Sequence, residues 1–245
     1  MKKGNKIRLL LTLALALCML LCACADQPQT IRSAAYQFDR VDQSIQNESG
    51  ETVVQWFFDK LVITDETPAA ERINADMEEN VSSFFDESMR QQITEYAAIA
   101  RDSAADKSFF NTAAGELSYN DDGIISARYT YNWFMGGVHN LNYDGFTYDL
   151  NTGEKLYLAD LLPGSEEEIL RSVQEIYGKA VREYYGSDGL FDEAEETLET
   201  KPLDAYKFYV SDGGELYLIA DTYEFAPGAS GPYAFASGLR ITRKS

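Results

Sequence analysis

The chain has 245 residues, with 40 acidic against 21 basic side chains and a formal net charge of −19, so its surface is a poor match for nucleic acid or anionic lipid headgroups. Tyrosine (16 residues) and phenylalanine (13) are plentiful while proline (6) is scarce, the composition of a folded chain with an aromatic core rather than of a disordered one. With a single histidine, His139, and with Cys18, Cys22 and Cys24 all near the N-terminus, the remainder of the chain offers neither a histidine or cysteine metal site nor an internal disulfide. No cofactor is expected.

The N-terminus carries Lys2, Lys3, Lys6 and Arg8 with no acid, followed by the apolar run Leu9 to Leu21, which is too short to span a bilayer comfortably. This is the pattern of a secretory signal peptide. Leu21-Cys22-Ala23-Cys24 resembles the bacterial lipobox, which implies cleavage before Cys24 and lipidation of its thiol; the alternative is ordinary export with a free thiol left behind. Two acyl chains make membrane anchoring stable. The expected organisation is a signal peptide over 1–23, a tether over 24–32, and a chain exposed on the outer face of the cytoplasmic membrane. Removing the signal takes four of the 21 basic residues and none of the 40 acids, leaving 17 − 40 = −23.

In chain order, Tyr36 to Val41 and Thr52 to Ile63 flank Asn47-Glu48-Ser49-Gly50 and read as a hairpin with a polar tip. Thr67-Pro68 starts a helix with threonine at the N-cap and proline at the first position. Ile73, Met77, Val81, Phe84, Met89, Ile93, Tyr96 and Ala100 then recur at helical spacing, which predicts one amphipathic helix of about 30 residues. Gly115 to Leu158 reads as a β-meander, with Asn120-Asp121-Asp122-Gly123 and Asn151-Thr152-Gly153 as tight turns. Ser165 and Glu168 form a capping box for a second helix, whose apolar stripe is Ile169, Val173, Ile176, Ala180, Val181 and Tyr184, with Gly186 as terminator. Asp192 to Glu199 is a short acidic helix or loop. A hairpin follows, from Tyr206 to Val210 and Glu215 to Ala220 around Ser211-Asp212-Gly213-Gly214, and Leu239 to Thr242 is a last strand. The fold class is α+β, with antiparallel sheets in meanders and hairpins packed against one long and one medium amphipathic helix.

Three C-terminal stretches, Gly136-Gly137-Val138-His139, Phe146 to Leu156 with Leu161-Leu162, and Tyr223 to Pro232, resemble the extracytoplasmic domain of the RsiV type of anti-sigma factor. Arg72-Ile73-Asn74 in the first half resembles the companion domain of unknown function that precedes it and that fronts some polysaccharide deacetylases. The resemblance implies two domains, 33–113 and 114–245, of a Gram-positive cell envelope protein, and in the RsiV branch such a domain senses lysozyme by binding it. Only eight residues precede the apolar run, too few for the cytoplasmic segment with which an anti-sigma factor holds its partner. There is also no trace of a deacetylase catalytic domain.

The residue inventory argues against catalysis. A serine nucleophile would have to use His139, and no Gly-x-Ser-x-Gly turn is present. His139 follows two glycines and is expected to serve turn geometry or a strand-end hydrogen bond. Ala226-Pro227-Gly228-Ala229-Ser230-Gly231-Pro232 lacks the lysine and following helix of a phosphate loop and reads as a structured loop between strands. The aromatics beside it, Tyr223, Phe225, Tyr233 and Phe235, together with Trp133, Phe134 and His139, are the candidate binding residues. The expectation is a lipid-anchored, non-enzymatic binding or sensing protein that recognises a protein or glycan, a cationic protein such as lysozyme among them. The alternatives are an accessory domain docking on another envelope protein and a carboxylate-based cell-wall glycan hydrolase.

Overall fold

The computed structural model describes residues 31–102, 109–134 and 139–242. The expected signal peptide, Cys24, and Met135 to Val138 lie outside these residues. Among the described residues no helix is long and apolar enough to cross a membrane.

The first hairpin forms as its turn chemistry requires. Asn47 Oδ1 accepts hydrogen bonds from the backbone N–H of Ser49 (3.0 Å) and Glu51 (2.9 Å), and Gly50 supplies a left-handed φ of +82°. Strand β1 (Tyr36–Asp42) pairs antiparallel with β3 (Thr52–Ile63), and the two-residue β2 (Ile45–Gln46) also pairs with β3.

Thr67 caps the next helix, its hydroxyl accepting from Ala70 N at 3.1 Å with Pro68 in the first turn. The single helix expected here is two: α1 (Pro68–Phe84) and α2 (Glu87–Asp102). Phe85 leaves the helical path at φ −100°, ψ 31°. Asp86 starts the second helix, its carboxylate accepting from Met89 N at 2.7 Å. The break has a packing cause. Neighbouring residues on an unbroken helix point about 100° apart, whereas here both phenylalanines reach the sheet, Phe84 against Phe58 and Tyr131 and Phe85 against Trp56.

The helices carry the chain over to β4 (Phe109–Asp121), which runs parallel to β3. A parallel pair needs a long crossover, and the two helices provide it. This pair departs from the otherwise antiparallel sheet. Strands β5 (Ile124–Phe134) and β6 (Asn140–Asp149) complete the sheet in the order β1-β3-β4-β5-β6. The junction expected at 113/114 falls inside β4, which pairs with β3 on one side and β5 on the other.

Three residues of the first half have separate tasks. Ile73 is fully buried. Asn74 accepts from Ile63 N (2.8 Å) and donates to Ile63 O (2.9 Å), tying α1 to the end of β3. Arg72 donates to Thr152 O at 3.1 Å, where Gly153 lets its turn approach so closely that a Cβ would stand 2.5 Å from Ala69 O.

The second half begins with the short helix α3 (Leu158–Leu161) and α4 (Glu166–Tyr185). The capping box is complete: Glu168 N donates to Ser165 Oγ and Ser165 N to Glu168 Oε2. Helix α5 (Ala194–Thr200) leads to a sheet of β7 (Lys207–Val210), β8 (Glu215–Ala220) and β9 (Tyr233–Arg240), all antiparallel. The last strand therefore begins six residues before the expected Leu239. Its Ala-Phe-Ala-Ser-Gly run has no β-branched residue to announce a strand. This sheet meets the first at Gly145, where a Cβ would lie 1.8 Å from Phe208 O. Ser126 Oγ beside it accepts from Val210 N at 3.1 Å and bonds to Thr147 Oγ1 at 2.8 Å.

Candidate functional site

The turn between β8 and β9 holds every residue from Asp221 to Phe225 except one. Asp221 Oδ2 lies 2.7 Å from Lys207 Nζ. Thr222 N donates to Asn142 Oδ1 at 2.9 Å, and the Thr222 hydroxyl donates to Leu141 O. Glu224 Oε2 accepts from Asp221 N (2.9 Å) and from the Tyr177 hydroxyl (3.1 Å), while Oε1 pairs with Lys201. Phe225 is fully buried beside Tyr177. Tyr223 alone faces outward, 54% exposed and with φ +69°. For a residue other than glycine that left-handed backbone costs roughly 1–2 kcal/mol, and the anchors on either side maintain it.

Gly228 completes the presentation. A Cβ at this position would fall 2.1 Å from Tyr223 Cζ and 2.3 Å from its hydroxyl oxygen, so the phenol end of the ring takes the space that only glycine leaves open. Ala226 to Pro232 is a loop between strands with one 3-10 turn at Gly228–Ser230, and Tyr185 fastens its far end by donating to Gly231 O at 3.0 Å.

The structure separates the seven candidate aromatic and histidine side chains into core and surface. Phe225 and Phe235 (7% exposed) are core residues packed on Tyr177, and so do not supply a binding surface. Tyr233 is half-buried and stacks on Tyr184 at 3.8 Å and an interplanar angle of 5°. Tyr184 is itself exposed. It belongs to the predicted apolar stripe of α4, but Tyr177, which that stripe omits, is the residue that fills the core.

Trp133, Phe134 and His139 lie at one end of the first sheet. Phe134 stacks on Phe109 (6.2 Å, 17°) and tilts against Phe110 (5.8 Å). The exposed His139 meets Phe110 edge-on at 5.4 Å and hydrogen-bonds through Nε2 to Asn132 Oδ1. This is the strand-end hydrogen bond expected of it. Trp133 pairs in register with Asn140, and Asn132 with Leu141. Because Thr222 fastens to Leu141 and Asn142, the Tyr223 turn is seated on the same end of β6 as this second aromatic group.

Sequence reasoning missed the residues that do the positioning, Thr222, Glu224 and Lys201. Only the placement of Glu224 immediately after a tyrosine and before a buried phenylalanine hints at its role. Lys207 Nζ also stands 3.8 Å from Asp144 Oδ2, a looser ion pair. Burial pushes the Asp144 carboxyl above its ordinary range against the pull of Lys207. Burial works against the Lys207 ammonium in turn, but Asp144 and Asp221 outweigh it and hold that group high.

The stretch of chain that follows Arg182 is acidic. Glu183, Asp188, Asp192, Glu193, Glu195, Glu196 and Glu199 fall between Arg182 and Lys201 with no basic residue among them. Both flanking cations are engaged, Arg182 with Glu195 and Lys201 with Glu224. Among the described residues no group of three or more acidic, histidine or cysteine side chains is placed to hold a metal ion.

No family profile matches the chain, and no curated protein matches it in sequence. Solved structures do. A DUF3298 family member from Bacteroides fragilis superposes with a TM-score of 0.58 at 13% identity, over 85% of this chain and 91% of its own. A DUF3298 family protein from Pseudomonas aeruginosa gives 0.49 at 16% identity, over 84% and 89%. At such identities the first likeness establishes a shared fold. It agrees with the mixed α+β fold expected from the sequence.

Proposed function

We propose that this chain is a lipid-anchored, extracytoplasmic binding protein of the cell envelope, without catalytic activity, that recognises a protein partner through the aromatic surface led by Tyr223. The observation that carries the reading is the turn itself. Four anchored residues hold one exposed tyrosine in a left-handed backbone, and a strained, preorganised aromatic at the surface is what a recognition residue needs. A cationic partner is favoured, because a surface of −23 charges after removal of the signal attracts positive proteins and repels negative ones. The uninterrupted acids between Arg182 and Lys201 point the same way. The RsiV-like resemblance makes lysozyme the natural first ligand, and the lipobox at Leu21 to Cys24 supports the membrane anchor.

Calorimetric titration of the chain from Asp26 onward with lysozyme, at low and moderate salt, tests this, with an unrelated protein of similar positive charge as control. Saturable binding that persists at moderate salt and is absent for the control is the expected result. Equal binding of both proteins, or binding abolished by moderate salt, would reduce the surface to a nonspecific field and refute the reading.

A further inference from the structure

Beneath Tyr223 lies an ion pair of unusual surroundings. Lys201 and Glu224 are in contact with only 11% and 16% of their side chains exposed. The Lys201 ammonium stands 5.1 Å from the ring centres of both Tyr177 and Tyr206 and 6.0 Å from that of Phe225, within the range where a ring face attracts a cation. Burial raises the Tyr206 hydroxyl to about 12, with Glu224 adding to the effect, so this ring stays neutral beside the lysine. The carboxylate of Glu224 spends its other oxygen on Asp221 N, while Glu224 N reaches back to Asp221 O at 3.2 Å. The four-residue turn is thus closed on itself by the group that Lys201 neutralises, and Tyr223 sits inside the closed turn.

We propose that the Lys201–Glu224 pair is the positioning element of the Tyr223 surface: the caged ammonium holds the Glu224 carboxylate where it locks the turn, and the left-handed presentation of Tyr223 depends on that lock. The inference rests on the reading of Tyr223 as the recognition residue but is measured without any ligand. A buried charge left without its partner is strongly unfavourable, so removing either member forces the turn to reorganise rather than leaving it in place.

The test is solution NMR of the chain. A left-handed residue gives a strong intraresidue contact between its amide and α protons, which Tyr223 is expected to show in the wild type. Lys201→Met and Glu224→Ala should abolish that signature and speed exchange of the Asp221 amide at least tenfold, while the Leu218 and Ile219 amides of β8 stay protected. Lys201→Arg, which keeps the charge, should restore it. The double variant Lys201→Met/Glu224→Gln leaves no charge buried and guards against loss of folding in the single variants; the Tyr223 signature should be weakened there too. A signature at full strength in the double variant overturns the proposal, as does failure of Lys201→Arg to restore it. Lysozyme titration of the same double variant separates the two ideas. Loss of the signature with unchanged lysozyme affinity upholds the positioning role and removes Tyr223 from the contact.

Discussion

The turn Asp221 to Glu224 and the core beneath α4 share one short stretch of chain and follow opposite rules. Phe225 is fully buried among Tyr177 and its neighbours, held by packing that any large apolar ring of the right shape could supply. Tyr223, two residues earlier, is held by backbone. Its own ring is exposed and reaches Gly228, yet its φ of +69° is held by hydrogen bonds that its neighbours make. The lesson is that an aromatic beside a glycine takes its meaning from the backbone angle and the anchors around it, not from its type.

That contrast can be broken from the core side first. Phe225→Ala should destabilise the fold by about 3–5 kcal/mol, the ordinary cost of emptying a buried phenylalanine site, read from urea unfolding at constant slope. A loss below about 1 kcal/mol would mean the ring is not core. Gly228→Ala attacks the support of the exposed ring. The added methyl needs the space that Tyr223 Cζ occupies, so the ring must lift away; the expected cost is about 1–3 kcal/mol, with weaker partner binding. Unchanged binding and stability would show that the ring does not rest there.

Tyr223→Gly sharpens the comparison from the surface side. Relief of roughly 1–2 kcal/mol of left-handed strain is offset by the greater freedom of glycine in the unfolded chain, so stability should stay within about 1 kcal/mol of wild type in thermal unfolding. A loss as large as that of Phe225→Ala would erase the distinction between the two positions. The smallest effect concerns Asp144. Its carboxyl is raised by burial, so the folded state holds that proton more tightly than the unfolded chain. The stabilisation this gives is complete below the usual aspartate range near ~3.9 and is lost as pH rises through the folded value. Asp144→Asn, which does not titrate, should therefore gain stability relative to wild type between acid and neutral pH. A pH-independent difference in melting temperature would contradict that.

Much of the fold was legible because its signals are local. Thr67-Pro68, the Ser165 and Glu168 capping box, Gly186, and the turns at Asn47 to Gly50 and Ser211 to Gly214 each satisfy nearby backbone groups, and the corresponding elements appear. The break at Phe85 and Asp86 was hidden, because it answers to the positions of Trp56 and Phe58 across the sheet. The parallel pairing of β4 with β3 was hidden for the same reason: register between distant strands has no local mark. At the candidate site, the sequence named Tyr223 and Phe225 alike, with nothing local to divide the exposed ring from the buried one. Tyr223 and Phe225 look alike in sequence, and only the long-range anchors at Asn142, Tyr177 and Lys201 tell them apart.

Whether Tyr223 touches the partner decides between a recognition residue and a merely exposed one. Titrating lysozyme into wild type and Tyr223→Gly at moderate salt, with folding of both confirmed by thermal unfolding, measures this. At least tenfold weaker binding of the variant, about 1.4 kcal/mol, is the predicted result, whereas clear wild-type binding that Tyr223→Gly leaves unchanged would contradict it.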